Sequence, residues 1–212
     1  MMPISEATEA RTLYYVHDPM CSWCWAFRPV WAEILQGLPT GVRPRRLLGG
    51  LAPDTEQPMP EPMQARIHAI WRQIQRQLPA TRFNFDFWQR CTPRRSTYPA
   101  CRAVIAARSQ GAEFEEPMIL AIQQAYYLEA RNPSDQETLA DLADRIGLDN
   151  SGFVRDLDAP ATQAALEQEM QLGRHMGARG FPSLLFQAVG ETRILQHDYR
   201  DAVFVLSQLQ AG

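Results

Sequence analysis

Two cysteines separated by two residues stand where a predicted strand gives way to a predicted helix, and this junction constrains the fold more than any other feature of the sequence. Residues 11–16 (RTLYYV) form a short apolar run closed by a His-Asp-Pro segment, which is typical of a buried strand. Over residues 22–37 the apolar side chains recur at helical spacing: Trp23, Ala26, Phe27, Val30, Trp31, Ile34 and Leu35. Cys21 therefore lies at the start of this helix, and Cys24 lies one turn into it.

The position of a sulfur at a helix start has a chemical consequence. Unpaired backbone N–H groups and the positive end of the helix dipole favour the thiolate form of Cys21. Cys24 is close enough to form a disulfide with Cys21, so the pair suits thiol–disulfide exchange, with attack by Cys21 and resolution by Cys24. Two other interpretations stay open, because a C-x-x-C is also half of a zinc site and because two cysteines can simply be buried. We favour the redox interpretation, since Cys91, Cys101 and the four histidines are scattered along the chain.

The remaining pattern predicts a mixed α/β chain with helices in its middle. Residues 42–48 form a weak second strand, which Pro44 marks as an edge strand or as irregular. Helical periodicity then covers residues 63–78, 99–110, 116–131, 135–146 and 160–176. Ser134 and Glu137 have the spacing of a capping box at the start of one of these helices. The chain closes with two short strands and a last helix, at 183–187, 191–196 and 199–210.

Composition excludes several classes of protein. The chain has 212 residues and a formal net charge of −3, and it contains no lysine, which removes Schiff-base and pyridoxal phosphate chemistry. The acidic balance gives no reason to expect a nucleic-acid partner, and short runs such as Arg94–Arg95 are expected to be solvated surface. No run approaches the roughly 18 apolar residues of a membrane-spanning helix. Since the first ten residues have no secretory pattern, we expect a cytoplasmic protein with reduced thiols.

A second motif, Gly180-Phe181-Pro182-Ser183, precedes the predicted strand at 183–187. X-Pro bonds are the main place where cis peptides occur, although an ordinary turn proline would look the same in sequence. Together with the C-x-x-C, this motif resembles the DsbA-like oxidoreductases of the thioredoxin fold. The resemblance runs from about residue 11 to residue 209. The stretch D-P-M-C-S-W-C-W at residues 18–25 is most similar to cytosolic DsbA-like proteins, often assigned as disulfide isomerases.

The resemblance implies a thioredoxin fold, β-α-β followed by β-β-α, interrupted by an inserted all-helical domain. Residues 11–62 and 177–210 would form the discontinuous thioredoxin-like domain, and residues 63–176 the insertion. Cys21 would be the nucleophile, Cys24 the resolving thiol and Pro182 a cis-proline. Backbone groups of Phe181 would pair with an extended substrate, which Trp23 would also touch.

No cofactor or metal is implied, and the partners would be protein or peptide thiols and disulfides. Ser22 and Trp23 replace the Pro-His pair of periplasmic DsbA oxidants, so we expect a less oxidising disulfide. Cys91 and Cys101 are either an auxiliary redox pair or small buried hydrophobes, and we favour burial.

Two other functions remain as alternatives. Kappa-class glutathione transferases and hydroxychromene-carboxylate isomerases share the inserted architecture and would make glutathione a partner, although their sites typically carry Ser where this chain has Cys21. Some cytosolic thioredoxin-like proteins instead act as adaptors that bind one partner protein without turnover. Fold alone does not decide among these functions.

Overall fold

A four-stranded mixed sheet forms the centre of the computed structural model, which describes residues 11–210. Its strands are β1 (Arg11–His17), β2 (Val42–Leu48), β3 (Ser183–Ala188) and β4 (Glu191–Leu195). They lie in the order β2-β1-β3-β4, with β1 parallel to β2 and the other two pairings antiparallel. Pro44 lies opposite Leu13 on the edge strand β2, where a residue without an N–H is tolerated. The predicted β-α-β and β-β-α order is confirmed.

The helices follow the predicted order, with the long helical block between β2 and β3. They are α1 (Ser22–Gln36), α2 (Glu61–Gln77), α3 (Phe87–Arg90), α4 (Tyr98–Gln110), α5 (Glu115–Tyr127), α6 (Gln136–Arg145), α7 (Asn150–Leu157), α8 (Pro160–His175) and α9 (Ala202–Gln210). Within the described part of the chain, no helix has the length and apolar character needed to cross a bilayer.

Alternation along β1 sends its side chains to two different layers. Leu13 and Tyr15 pack with α1 and α9 on one face of the sheet, while Tyr14 and Val16 pack with Leu172 of α8 on the other. The helical block has the largest apolar cluster, built around the fully buried Trp71, Tyr127 and Phe153. The sheet is therefore covered on both faces, and the C-x-x-C lies at one end of it.

One helix was not predicted, and two local predictions were wrong. The sequence pattern did not reveal α7, a short helix whose start is capped by the Asp149 carboxylate, which accepts from Gly152 N at 3.1 Å. The helix predicted over 116–131 ends at Tyr127, because Ala130 has a left-handed φ of 53°. The capping box does not form, since the Ser134 hydroxyl donates to the Ser96 carbonyl at 2.6 Å instead of capping α6.

The proposed division into a thioredoxin-like domain and an inserted domain stays a prediction. Helix α8 contacts both parts, because Leu166 belongs to the helical cluster and Leu172 packs on the sheet. Gly173 faces Val16, where an added Cβ would lie 3.2 Å from Val16 Cγ1. This close approach lets α8 lie directly against the sheet.

Candidate active site

Cys21 occupies the N-cap position of α1. Its φ and ψ of −81° and 116° are extended, its N–H donates to the Asp18 carbonyl at 3.0 Å, and its own carbonyl accepts from Trp25 N at 3.0 Å. The residue is only 7% exposed, so its sulfur is approached from one side. The thiol lies 3.6 Å from the carbonyl oxygen of Phe181, within hydrogen-bonding range for sulfur.

Cys24 lies one turn into the same helix and is fully buried. Burial, followed by the hydrogen bond and the charge of neighbouring Cys21, raises the pKa of the Cys24 thiol well above its usual value. This environment keeps Cys24 protonated beside the more accessible Cys21. Such an asymmetry suits a pair in which one sulfur meets an external group and the other stays in reserve.

The segment before β3 brings Phe181 and Pro182 to the C-x-x-C. The Phe181–Pro182 peptide bond is cis, and the Phe181 carbonyl faces Cys21 across 160 positions of sequence. The Phe181 ring lies against Gly49, where an added Cβ would be 1.9 Å from the ring atom Cε1. Gly49 therefore leaves the space in which the Phe181 ring lies.

A buried carboxyl group supports the loop that carries the cysteines. Asp18 is completely buried and accepts hydrogen bonds from Met20 N at 2.8 Å, Leu51 N at 2.7 Å and the Thr97 hydroxyl at 2.7 Å. The Cys101 thiol lies 3.5 Å from the same carboxyl oxygen that Thr97 contacts. Burial raises the pKa of Asp18, and the hydrogen bonds oppose that shift. Asp18 thus ties β1, the loop after β2 and the start of α4 together behind Cys21.

The two remaining cysteines lie in different surroundings. Cys101 is fully buried, as the favoured interpretation expected, and burial together with Asp18 raises the pKa of its thiol well above the usual value. Cys91 is only half-buried, unlike the buried hydrophobe that the favoured interpretation expected, and its thiol donates to the Ala130 carbonyl at 3.1 Å. Across residues 11–210, no group of three or more His, Cys, Asp or Glu side chains is arranged to hold a metal ion.

A groove of about 430 Å³ opens beside Cys21. Its apolar wall comes from α2 and the segments around the site: Met20, Trp23, Leu51, Met63, Ile67, Ile70, Tyr126 and Phe181. Trp23 is half-buried and packs against Tyr199 with ring centroids 5.0 Å apart. Ser22 is tied to the helical block, because its hydroxyl oxygen accepts from Trp71 Nε1 at 2.9 Å. Among the predicted substrate contacts, Trp23 and Phe181 line the groove, whereas Pro182 is buried.

Sequence reasoning missed the charged part of this groove. Arg66, Arg95 and Arg179 line it together with the apolar residues. They are far apart in sequence, and Arg95 belongs to a pair that was expected to be ordinary solvated surface. The sequence signal that was present is the position of Arg66 between Met63, Ile67 and Ile70, at the margin of the apolar face of α2.

Comparison with known proteins agrees with this geometry. A thioredoxin family model matches residues 14–199. A candidate protein disulfide isomerase from Nitrosomonas europaea has 27% identity and a TM-score of 0.81, covering 96% of this chain and 97% of its own. The cytosolic disulfide reductase DsbM from Pseudomonas aeruginosa has 26% identity and a TM-score of 0.75, covering 95% of this chain and all of its own. A structure of DsbM with GSH is also similar, with a TM-score of 0.71.

A curated relative has a different description. The ClpXP adapter protein SpxH of Halalkalibacterium halodurans is 26% identical over 180 residues, which cover 82% of this chain. The match spans only 58% of the length of that relative. Since the family model covers most of residues 11–210, the chain belongs to the thioredoxin family, with the DsbA-like form of its fold.

Proposed function

We propose that the protein is a thiol–disulfide oxidoreductase that acts on protein or peptide thiols through a mixed disulfide at Cys21. The observation that carries this proposal is the contrast within the C-x-x-C. Cys21 lines a groove at the start of α1, whereas Cys24 is fully buried one turn behind it. Only one of the two sulfurs can meet a substrate first.

The reaction needs no group beyond the two cysteines. The Cys21 thiolate attacks one sulfur of a substrate disulfide, the substrate S–S bond breaks, and the departing thiolate takes a proton from water. Cys24 then loses its proton and attacks Cys21 Sγ, which forms the Cys21–Cys24 disulfide and releases the second substrate thiol. Two electrons pass from the protein dithiol to the substrate, and the reverse sequence oxidises a substrate dithiol. We therefore propose no metal or organic cofactor.

Phe181 is proposed to bind the substrate in the same mechanism. Its carbonyl oxygen lies 3.6 Å from Cys21 Sγ, and both residues line the same groove. We propose that its backbone pairs with an extended substrate, as a strand added beside the segment before β3. Trp23 forms part of the surface that such a substrate would cover.

The names of the solved relatives support reduction of substrate disulfides and a location in the cytoplasm. DsbM is described as a cytosolic disulfide reductase, and its structure with GSH supports glutathione among the thiols exchanged. We accordingly propose a cytoplasmic location. An isomerase activity would use the same mixed disulfide, resolved by a substrate thiol instead of Cys24.

A redox titration with matched variants tests the proposal. The full chain is equilibrated in glutathione buffers over a range of potentials, quenched by alkylation, and mapped by peptide mass. Cys21 and Cys24 are expected to interconvert between dithiol and disulfide, Cys24→Ser is expected to accumulate a mixed disulfide on Cys21, and Cys21→Ser is expected to form none. Cys91→Ser is the control and is expected to exchange as the wild type does. Failure of Cys21 and Cys24 to form a disulfide at any potential would contradict the proposal.

The adaptor function is a second candidate, favoured by the curated SpxH relative. An adaptor would bind a partner protein with fixed stoichiometry, and its cysteines would not need to turn over. Binding that persists in a Cys21→Ser, Cys24→Ser double variant would favour this function. Binding that requires either sulfur would favour exchange.

A further inference from the structure

The groove beside Cys21 has an unusual balance of charge. Three arginines line it, Arg66 from α2, Arg95 from the segment before α4 and Arg179 from the segment before β3, and no lining residue is acidic. Within residues 11–210, none of the three side chains forms a hydrogen bond or an ion pair. Their charges are therefore uncompensated by the described protein around them.

Several arginines elsewhere in the described chain are paired with acids. Arg94, next to Arg95, contacts the Asp135 carboxylate at 2.7 Å and the Ser134 carbonyl at 2.7 Å. Arg102 contacts the Asp54 carboxylate at 2.8 Å. The contrast between Arg94 and Arg95 is sharp, because neighbouring residues with the same side chain differ in whether an acid faces them.

We propose that this groove selects small disulfides and thiols that carry carboxylates, and that Arg66, Arg95 and Arg179 are the residues that recognise those carboxylates. The inference rests on the proposed exchange function and names its substrate class. A guanidinium is charged at every physiological pH and offers paired N–H donors that match a carboxylate. A groove of about 430 Å³ suits a small molecule, whose apolar stem would contact Met63, Ile67 and Ile70.

The expected selectivity follows from the number of exposed ion pairs. Each contact between an exposed arginine and a carboxylate is expected to change the rate about 1.4- to 5-fold. Each arginine attracts a dianionic disulfide and repels a dicationic one, so loss of all three should lower the ratio of the two rates roughly 30-fold. Because part of this preference is long-range attraction, it should shrink when salt shortens the Debye length below about 8 Å.

The test compares disulfides that differ in charge. Second-order rate constants for oxidation of the reduced full chain are measured with 3,3′-dithiodipropionate, cystamine and bis(2-hydroxyethyl) disulfide, each divided by its rate with a neutral model thiol. Both charged probes meet the same Cys21, so the ratio of their rates cancels any change in the reactivity of that sulfur. The wild type is expected to favour the dianion over the dication. After this division, a dianion-to-dication ratio equal to one would overturn the proposal.

Matched variants distinguish the effect of arginines in the groove from the effect of the protein's net charge. Arg66→Gln, Arg95→Gln and Arg179→Gln are each expected to lower the ratio about 3-fold. A triple control of Arg43→Gln, Arg76→Gln and Arg90→Gln removes the same charge from exposed arginines that do not line the groove, and it is expected to change the ratio less than 2-fold. Equal effects of the two triple variants would overturn the proposal.

A binding measurement distinguishes failure of this inference from failure of the exchange function. S-methylglutathione carries two carboxylates but has no sulfur that can exchange, and its binding is followed by calorimetry. Binding that weakens at least tenfold in the groove triple variant supports the arginine site even if no probe oxidises Cys21. Exchange with all three probes at rates independent of charge, with no binding of S-methylglutathione, overturns the inference and leaves the exchange function intact.

Discussion

Replacing Thr97 with valine tests whether the buried node around Asp18 holds the active-site loop. The Thr97 hydroxyl donates to Asp18 Oδ2 at 2.7 Å and accepts from Ala52 N at 3.0 Å, and the residue is 2% exposed. Valine has nearly the same shape but no hydroxyl. The substitution therefore leaves the Asp18 carboxyl with one donor fewer and the Ala52 N–H without its partner.

The size of the effect can be worked from these two bonds. Loss of the bond to Asp18 costs about 1–3 kcal/mol, and an unpaired buried N–H costs a further ~1–3 kcal/mol, offset in part by the added apolar surface. We expect Thr97→Val to lower the free energy of unfolding by about 2–4 kcal/mol. At a typical slope of about 2 kcal/mol per molar urea, the denaturation midpoint would fall by about 1–2 M.

The pH dependence of stability provides a second test of the role of Asp18. The folded-state pKa of Asp18 is raised, so between the unfolded and folded pKa values the folded state binds more protons, and stability falls as pH rises through that window. Thr97 opposes this shift, so Thr97→Val should raise the pKa further and extend the window upward. The loss of stability should therefore be greater at pH 8 than at pH 4, which is close to the unfolded-state pKa.

Urea denaturation followed by circular dichroism measures both quantities. Thr97→Ser keeps the hydroxyl and should cost only about 1 kcal/mol, and Thr192→Val on the exposed face of β4 should change stability by less than about 0.5 kcal/mol. A cost for Thr97→Val that matches that of Thr97→Ser, or that is the same at both pH values, would refute the role assigned to Asp18.

Two further predictions concern residues near the site. Gly49→Ala should displace the Phe181 ring, lower stability by about 1–3 kcal/mol and slow exchange at Cys21. Gly180→Ala, whose Cβ would meet nothing within 4 Å, should leave stability unchanged. Urea denaturation and disulfide reduction assays measure these effects, and equal losses of stability in the two variants would contradict the prediction. Burial, followed by the charge of Arg46, lowers the pKa of His17 to about 3. Between about pH 3 and 6.5 the unfolded state therefore binds more protons than the folded state. Stability is lost as pH falls through that range, by roughly 1.4 kcal/mol per pH unit. His17→Phe should remove this contribution to the slope of unfolding free energy against pH, measured from denaturation curves recorded from pH 4 to 7. An unchanged slope would contradict the lowered pKa assigned to His17.

The local sequence pattern was sufficient to predict those elements in which neighbours in sequence are also neighbours in space. The apolar run of β1, the helical repeat of α1 and the edge position of β2 follow from short-range spacing, and all three are present in the structure. Cys21 lies at the start of α1 for the same reason. The fold class followed from these elements together with the family resemblance.

Local pattern failed where a distant partner competed for the same group. Ser134 and Glu137 have the spacing of a capping box, but the Ser134 hydroxyl is taken by the Ser96 carbonyl, which lies 38 positions away in sequence. Gly49 lies far from Phe181 in sequence, yet the Phe181 ring occupies the space beside it. No spacing rule connects such pairs, because the contact depends on the path of the whole chain.

The sequence by itself determined the chemistry available to this protein: a strand, a C-x-x-C and a helix in that order, with Cys21 at the helix start and Cys24 one turn behind. The tertiary structure decided what surrounds that chemistry. It buried Asp18 behind the loop, brought the Phe181 carbonyl to Cys21, and gathered Arg66, Arg95 and Arg179 around one groove. The physical reason is that helix and strand formation depend on nearby residues, whereas burial, charge pairing and the shape of a groove depend on side chains that only the folded chain brings together.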